Sequence, residues 1–327
     1  MSGPKAAVSR IAIAIGDPNG IGPEIALRTV EAYEGRSDIS LRLYGPREAL
    51  ESTAQGLGLS ALLVRTSLVT TSSLSPAKFR PGEISASAGR AAIQAATQAI
   101  QAAQAGEVDA IVAAPHHESA IAQAGISFSG YPSLVAKVCG QSEDSVFLLL
   151  IGGGLRIVHA TLHESVSTAL ARLSPQLVIE ATRAGVRALQ RLGVSAPRIA
   201  LMGVNPHAGE GGLFGTEDRA ITEPAAAQLI EEGYNITGPA GADVLLASRS
   251  HDLYVAIFHD QGHIPIKLIS PQRSSALSIG AKVILSSVGH GCAMDIAGQG
   301  IASALAMIDT VAMLANVANS QSKAMPC

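Results

Sequence analysis

Short, almost wholly apolar runs recur along this chain, separated by stretches long enough to form helices. The runs are Ile11–Ile15, Leu41–Tyr44, Ala110–Ala114, Val146–Ile151, Leu155–Val158, Ile199–Val204, Leu253–Phe258 and Val283–Leu285. A run without polar alternation reads as a strand covered on both faces. The intervening stretches carry helix signals. Pro23 and Glu24 suit a first turn, Ala86–Ala105 is rich in alanine and glutamine and stops at Gly106, and Ser174-Pro175 caps a helix reaching about Leu192. This alternation predicts an α/β/α sandwich. The glycines Gly152–Gly154 lie between two of the apolar runs and signal a hairpin, so the sheet is expected to be mixed. Residues 66–84, rich in Ser, Thr and Pro, read as a long surface connection, and about Ile301–Ala318 as a closing helix.

With 327 residues the chain makes one large or two moderate domains. Its charged fraction of 15% and net charge of -3 include no basic block, which argues against nucleic acid or an anionic membrane as partner. No segment is long and apolar enough for a spanning helix. Lys5 and Arg10 precede too short an apolar run for a secretory signal. Cys139, Cys292 and Cys327 lack metal-type spacing and fit a reducing compartment, so the expected location is cytoplasmic.

The chemistry gathers at strand ends, where open α/β sheets place functional groups. His163, His207 and His259 each follow an apolar run, and three imidazoles delivered this way could share one divalent metal with a position left open. Any one alone reads as an ordinary loop histidine. The loop Gly16–Gly22 is neither a Walker motif nor a G-x-G-x-x-G fingerprint. Its alternatives are a phosphate cradle, using Asp17, Asn19, Gly20 and Gly22, or a tight strand-to-helix turn. A second glycine turn, Gly289-His290-Gly291 with Asp295, could present backbone N–H groups to a cofactor. Of His116 and His117, one is expected to face the site. Asp243 stands at a helix start, where it is a catalytic group or a plain cap. Lys267 follows a strand-like His263–Ile266 segment, where it is a catalytic group or a snorkelling lysine.

Together, Gly16-Asp17-Pro18 through Glu24, Asn205-Pro206-His207-Ala208-Gly209-Glu210-Gly211-Gly212, His259-Asp260-Gln261-Gly262 and Gly289-His290-Gly291 resemble the 4-hydroxythreonine-4-phosphate dehydrogenase family over essentially the whole chain. The resemblance implies an isocitrate/isopropylmalate dehydrogenase-like fold: two α/β/α domains, a cleft between them, and a homodimer with shared active sites. The expected division is 1–125 with 285–327 on the cofactor side, and 126–284 for metal, substrate and dimerisation. The resemblance further implies NAD or NADP as cofactor and a divalent metal, zinc suiting an all-nitrogen set. It puts the metal on His163, His207 and His259, one of them contributed across the dimer interface.

The chain departs from the family where substrate is held. Tyr131 and Pro132 replace a histidine and threonine, Glu118 replaces a lysine, and Ala276 and Leu285 replace the phosphate-binding asparagine and arginine, while Lys267 is retained. These departures resemble one branch, which acts on terephthalate cis-dihydrodiol, a dicarboxylate diol. That implies oxidation and decarboxylation to 3,4-dihydroxybenzoate, with His117, Tyr131, Ser133, Lys267 and Leu285 lining the substrate site. The alternatives are a dehydrogenase of a phosphorylated β-hydroxy acid, which Tyr131, Ala276 and Leu285 oppose, and a catalytically silent metal-binding protein.

Overall fold

A computed structural model describes residues 8–72, 74–75, 78–271 and 273–324. Lys5 and Cys327 lie outside the described residues, as does part of the 66–84 connection. The strands, in chain order, are β1 (Ser9–Ala14), β2 (Ile39–Gly45), β3 (Ser67–Thr70), β4 (Ala110–Ala113), β5 (Phe147–Gly152), β6 (Leu155–His159), β7 (Arg198–Met202), β8 (Asn235–Ala240), β9 (Leu253–Ala256), β10 (Ser275–Ile279) and β11 (Leu285–Val288). The chain forms two compact units, residues 1–140 with 282–327, and residues 141–281.

In the first unit the strand order is β3-β2-β1-β4-β11, all parallel. Ile11–Ala14 of β1 and all of β4 are fully buried, which requires helices over both faces and accounts for the unbroken apolar runs. Helix Ala86–Gln104 packs on β1, β2 and β4, and helix Leu305–Ala324 on β1, β4 and β11.

In the second unit the order is β10-β5-β6-β9-β7-β8. The glycine hairpin makes β5 and β6 antiparallel, and β10 also runs antiparallel to β5. The pairs β6–β9, β9–β7 and β7–β8 are parallel, so the sheet is mixed as expected. Its core includes Leu150, Ile157, Met202, Tyr254 and Ile266.

Several expectations shift. The sequence divided the chain at 125/126 and 284/285, whereas the compact units divide at 140/141 and 281/282. Helix Tyr131–Cys139 therefore packs with the first unit, against helix Ala86–Gln104. The 66–84 connection contains β3, and β8 and β10 also escaped the apolar-run criterion. Residues His263–Ile266 are not strand-like but belong to helix His259–Ile269, with Pro265 inside it. Buried Gly262 and Ile266 hold this helix against β5, β6 and β9, and that packing overrides the preference of proline against helix interiors. Among the described residues no helix is long and apolar enough to cross a membrane.

Candidate functional site

The second unit concentrates imidazoles at the carboxyl ends of β6 and β9. These strands are parallel neighbours, with Val158 opposite Val255 and His159 opposite Ala256, so the segments leaving them emerge side by side. One carries His163 and the other opens the helix at His259, and their ring centroids lie 5.4 Å apart. The helix adds His263, one turn further along the same face. Its ring stacks on His259 at 3.6 Å with planes 10° apart. Ligand atoms of His163, His259 and His263 all lie within 4.8 Å of one another.

Hydrogen bonds set the tautomers. The carboxylate of Asp260 and the carbonyl of His259 only accept, so Nδ1–H of His259 donates to Asp260 Oδ1 at 2.7 Å and Nδ1–H of His263 donates to His259 O at 3.2 Å. Both rings thereby leave Nε2 bare as an acceptor or metal ligand. Burial, then the neighbouring His259, pushes His263 down to about 4, which keeps it neutral at neutral pH. Behind it, His159 is 1% exposed. Burial and His263 push His159 down to about 3. Its Nδ1–H donates to Leu148 O at 3.3 Å, and its enclosed Nε2 has no hydrogen-bond partner. A Cβ at position 262 would stand 2.2 Å from that Nε2, so the glycine of His259-Asp260-Gln261-Gly262-His263 is a packing requirement.

Two polar side chains that the sequence did not single out brace this region. Gln261 Oε1 accepts from the backbone N–H of Ile257 and Phe258, and its Nε2 donates to Gly203 O at 2.9 Å, tying the end of β9 to the end of β7. Asp218, 1% exposed, accepts from the N–H of Val204 and Asn205 and from Thr222 Oγ1. It thus anchors the base of the loop that holds His207.

His207 does not join this cluster within the chain. Its side chain is exposed on the Pro206–Gly212 segment, 3.9 Å from Glu210. His207, Ala208 and Glu210 have φ of 53°, 51° and 43°, a run of left-handed backbone that non-glycine residues adopt at a cost. Asp243 is exposed in the first turn of helix Ala242–Ser248, after Gly241 at the cap position, and is also outside the cluster. Lys267 is four residues beyond His263 and eight beyond His259, so all three share one face of the helix. It faces solvent, yet burial of its ammonium lowers its pKa, and its charge contributes to the lowering at His263.

In the first unit, the loop Gly16–Gly22 and the turn at Gly289–Asp295 do meet. Ile21 N–H donates to Cys292 O at 3.0 Å, and a Cβ on Gly20 would come within 2.9 Å of the Cys292 Cβ. The loop itself is sealed: every residue from Gly16 to Gly22 is buried. Asn19 Nδ2 donates to Glu83 O at 2.8 Å and its Oδ1 accepts from Arg80 N, so its side chain fastens the 80–85 segment. Gly22 sits where a Cβ would meet Ile15 O at 2.0 Å. Asp17 accepts from Asn19 N at 2.9 Å, and burial pushes it up to about 6, opposed by that bond and by nearby His117. Asp17, Asn19, Gly20 and Gly22 are thus enclosed by protein, and Asp17 Oδ2 is buried without a hydrogen-bond partner. By contrast, Gly291 and Asp295 are exposed and Gly289 and His290 half-buried, and nothing stands within 4 Å of a Cβ built on Gly291.

The expected substrate residues separate in the same way. Tyr131 is 5% exposed and donates its one O–H proton to Ala114 O at 3.0 Å, so it is not a spare donor. His116 packs edge-on to it and to Phe128. Ser133 donates to Gly130 O at 2.9 Å. Half-buried His117 precedes helix Glu118–Gln123, its Nδ1 enclosed without a hydrogen bond. Leu285 is fully enclosed in β11, paired with Ile111. It offers no face to a ring, and an arginine there would place a guanidinium in the core.

Comparison with known proteins gives a consistent result. Residues 25–314 match the family described as pyridoxal phosphate biosynthetic protein PdxA. A 1,2-dihydroxy-3,5-cyclohexadiene-1,4-dicarboxylate dehydrogenase of Comamonas sp is 56% identical over 306 residues, covering 93% of this chain and 96% of that one. The crystal structure of a terephthalate 1,2-cis-dihydrodiol dehydrogenase from Burkholderia xenovorans is 46% identical, with TM-score 0.69 over 94% of this chain and 98% of that one. That of a 4-hydroxythreonine-4-phosphate dehydrogenase from Burkholderia phymatum is 32% identical, with TM-score 0.77 over 95% and 98%. In fold alone, a β-decarboxylating dehydrogenase from Thermococcus kodakarensis is also similar, at 17% identity and TM-score 0.52 over 94% and 82%.

Proposed function

We propose that this chain, which belongs to the PdxA family and is a dehydrogenase, oxidises a cis-dihydrodiol dicarboxylate of the terephthalate type, with loss of carbon dioxide, to 3,4-dihydroxybenzoate. The carrying observation is the 56% identity, over 93% of the chain, to the Comamonas dehydrogenase whose name states that substrate. The residues that depart from a phosphate-binding pattern agree with it. A phosphate dianion needs several charged donors, arginine above all, and position 285 is an enclosed leucine while position 276 is alanine.

The substrate is a β-hydroxy acid. Its secondary carbinol carbon gives up a hydride and its hydroxyl a proton. The resulting β-keto acid loses carbon dioxide, and tautomerisation restores the aromatic ring. When bound, a divalent metal supplies Lewis acidity at the hydroxyl oxygen, and NAD or NADP supplies the hydride acceptor. The donor set fits such an ion: His163 and His259 are imidazoles with ring centroids 5.4 Å apart, and the Nδ1 of His259 is engaged by Asp260, which directs its Nε2 outward as a ligand atom. His163 and His259 hold it in this reading, and His207, exposed and apart from them, reaches it from a second copy of the chain. Lys267, on the same helix face, balances a substrate carboxylate. Asp243 moves the hydroxyl proton, also from a second copy. The exposed turn Gly289–Asp295 meets the dinucleotide with its backbone N–H groups, while the sealed loop Gly16–Gly22 supports that turn from behind.

The test mixes the purified protein with NAD⁺ or NADP⁺, Zn²⁺ or Mn²⁺, and either terephthalate cis-dihydrodiol or 4-phosphohydroxythreonine. Nicotinamide reduction is followed together with release of carbon dioxide. Diol-dependent reduction with stoichiometric carbon dioxide is expected. Equal efficiency on the phosphorylated hydroxy acid would overturn the reading.

A further inference from the structure

We propose that Glu24 and Arg28 are positioning residues for the dinucleotide: they hold the segment between β11 and helix Leu305–Ala324 in the shape that offers its backbone N–H groups to the cofactor. The inference rests on the cofactor reading above and adds to it the groups that fix the turn.

Residues 289–304 form neither helix nor strand, so no regular ladder sets their shape. Bonds from one stripe of helix Gly22–Ala32 do so instead. Ile21 at the cap, Glu24 and Arg28 are spaced by three and four residues and lie on one face. Ile21 N–H donates to Cys292 O at 3.0 Å. Glu24 Oε1 accepts from the N–H of Ala302 at 2.9 Å and from Arg28 Nε at 3.3 Å. Arg28 Nη2 donates to Gly300 O at 2.8 Å. The helix thus grips the segment near its start and again at its end. The 80–85 stretch, fastened by Asn19, closes in on the middle: a Cβ on Gly82 would stand 3.0 Å from Met294 O, and one on Gly298 2.9 Å from Pro81 Cβ.

The electrostatics suit a fixed clamp. Glu24 is 2% exposed. A carboxylate withdrawn from water is costly unless paired, and this one meets a guanidinium and a backbone N–H. The guanidinium forks, one arm to Glu24 and one to the Gly300 carbonyl, and so couples the carboxylate to the backbone that it holds.

Between the grips the segment is open. Cys292 and Ala302 are buried, but Gly291, Asp295, Gly298 and Gln299 are exposed. Ala293 has φ of 43°, a left-handed conformation that persists only where the surroundings over-determine it. Core packing gains little from an exposed and strained turn. A ligand that reads the shape gains much, because donors already in place lower the ordering cost of binding an anion.

The test titrates the full-length protein with NADH and NADPH, read by calorimetry and nicotinamide fluorescence, and measures amide hydrogen exchange of residues 289–304. Arg28→Met keeps the aliphatic stem and loses both donors. Glu24→Ala removes the acceptor, and Glu24→Gln serves should that variant fail a thermal-unfolding check. We expect nucleotide affinity to fall about tenfold in Arg28→Met and Glu24→Ala, as loss of charge-assisted bonds implies, with faster exchange confined to 289–304. Arg28→Lys, which restores a cation beside Glu24, should stay within about threefold of wild type. Wild-type nucleotide affinity in the folded variants would overturn the proposal. So would weakened affinity with exchange raised throughout the first unit, the mark of a merely structural pair. Nucleotide binding that follows the expected pattern in a protein unable to oxidise the diol would sink the functional reading and leave the clamp standing. Diol oxidation by Arg28→Met with unaltered nucleotide affinity would do the reverse.

Discussion

The glycine loop after β1 and the histidine-bearing segments after β6 and β9 occupy equivalent places in their units, each just past the carboxyl end of a parallel strand. They put that place to different uses. Gly16–Gly22 is buried throughout, with its polar atoms turned inward to Asn19, Glu83, Arg80 and Cys292. The histidine segments end in exposed His163 and half-buried His259 and His263, each of the last two with a bare Nε2. The same strand-end rule therefore yields a joint in one unit and an open donor set in the other. The discriminating feature is enclosure: the loop is buried throughout, with Asp17 Oδ2 left without a hydrogen-bond partner, whereas the histidine segments reach the surface.

This contrast predicts that substitutions in the two places fail differently. His259→Ala removes an oriented imidazole that the proposed function uses as a ligand, so turnover should fall by at least about 10³-fold, about 4 kcal/mol of lost transition-state stabilisation. Its metal-free thermal unfolding should stay close to wild type. Gly16→Ala should do the opposite. The residue has φ of 67°, and a Cβ would meet the Pro115 carbonyl oxygen at 2.1 Å. Left-handed backbone alone costs an alanine about 1–2 kcal/mol, and the backbone collision brings the expected loss to about 3–5 kcal/mol. Thermal unfolding measures it. A stable Gly16→Ala protein with a specific cofactor defect would break the comparison.

Burial also gives the two regions opposite pH slopes, and these sharpen the contrast. Asp17 is raised from 3.8 to about 6. Its folded state holds a proton that the unfolded chain has lost, so its contribution to stability is full below about 3.8 and disappears as pH rises through about 6. The difference corresponds to about 3 kcal/mol at most. His159 is lowered from 6.5 to about 3. Its contribution is full above about 6.5 and is lost as pH falls toward 3. In metal-free protein, Asp17→Asn should therefore gain on wild type progressively above pH 4, by up to a few kcal/mol. His159→Leu should resist acid between pH 6.5 and 3. Denaturant melts across that range check both, and parallel pH profiles for wild type and either variant would show that burial is not the cause.

The legible parts of the sequence are those where one residue type answers one local demand. Buried central strands such as β1, β4 and β9 announce themselves as unbroken apolar runs. The Gly152–Gly154 turn announces the antiparallel pair. β3 and β8, at the ends of the strand orders within their units, are half-exposed and lack that signal, while β10 is interrupted by Ser275 and Ser278. His163 and His259 were found because each follows a buried strand. His263 was missed because Pro265 disguised its helix as a strand, although the i, i+4 spacing to His259 was there to read. The bonds of Asp218 to the 204–205 backbone and of Gln261 Nε2 to Gly203 O were not legible, because they join segments that the topology brings together. Leu285 was expected to line the substrate site through its correspondence with the family's arginine, and its side chain is fully enclosed in β11.

The smallest effect expected tests the outward half of the glycine pairing. Gly291 has no positive φ, is exposed, and has open space where a Cβ would go. Nothing in the chain therefore demands glycine there. Gly291→Ala should leave stability within about 0.5 kcal/mol of wild type, as surface changes without a special backbone do, in contrast to the several kcal/mol expected at Gly16. If the turn approaches a dinucleotide pyrophosphate, the demand for glycine comes from that ligand instead. Gly291→Val, which adds a branched side chain where backbone N–H groups would meet an anion, should then raise the nicotinamide KM about tenfold while the KM for diol changes little. Steady-state kinetics with each substrate varied in turn separate the two. An unchanged nicotinamide KM in a stable Gly291→Val protein would remove the turn from the cofactor path and leave it, like the loop behind it, as packing.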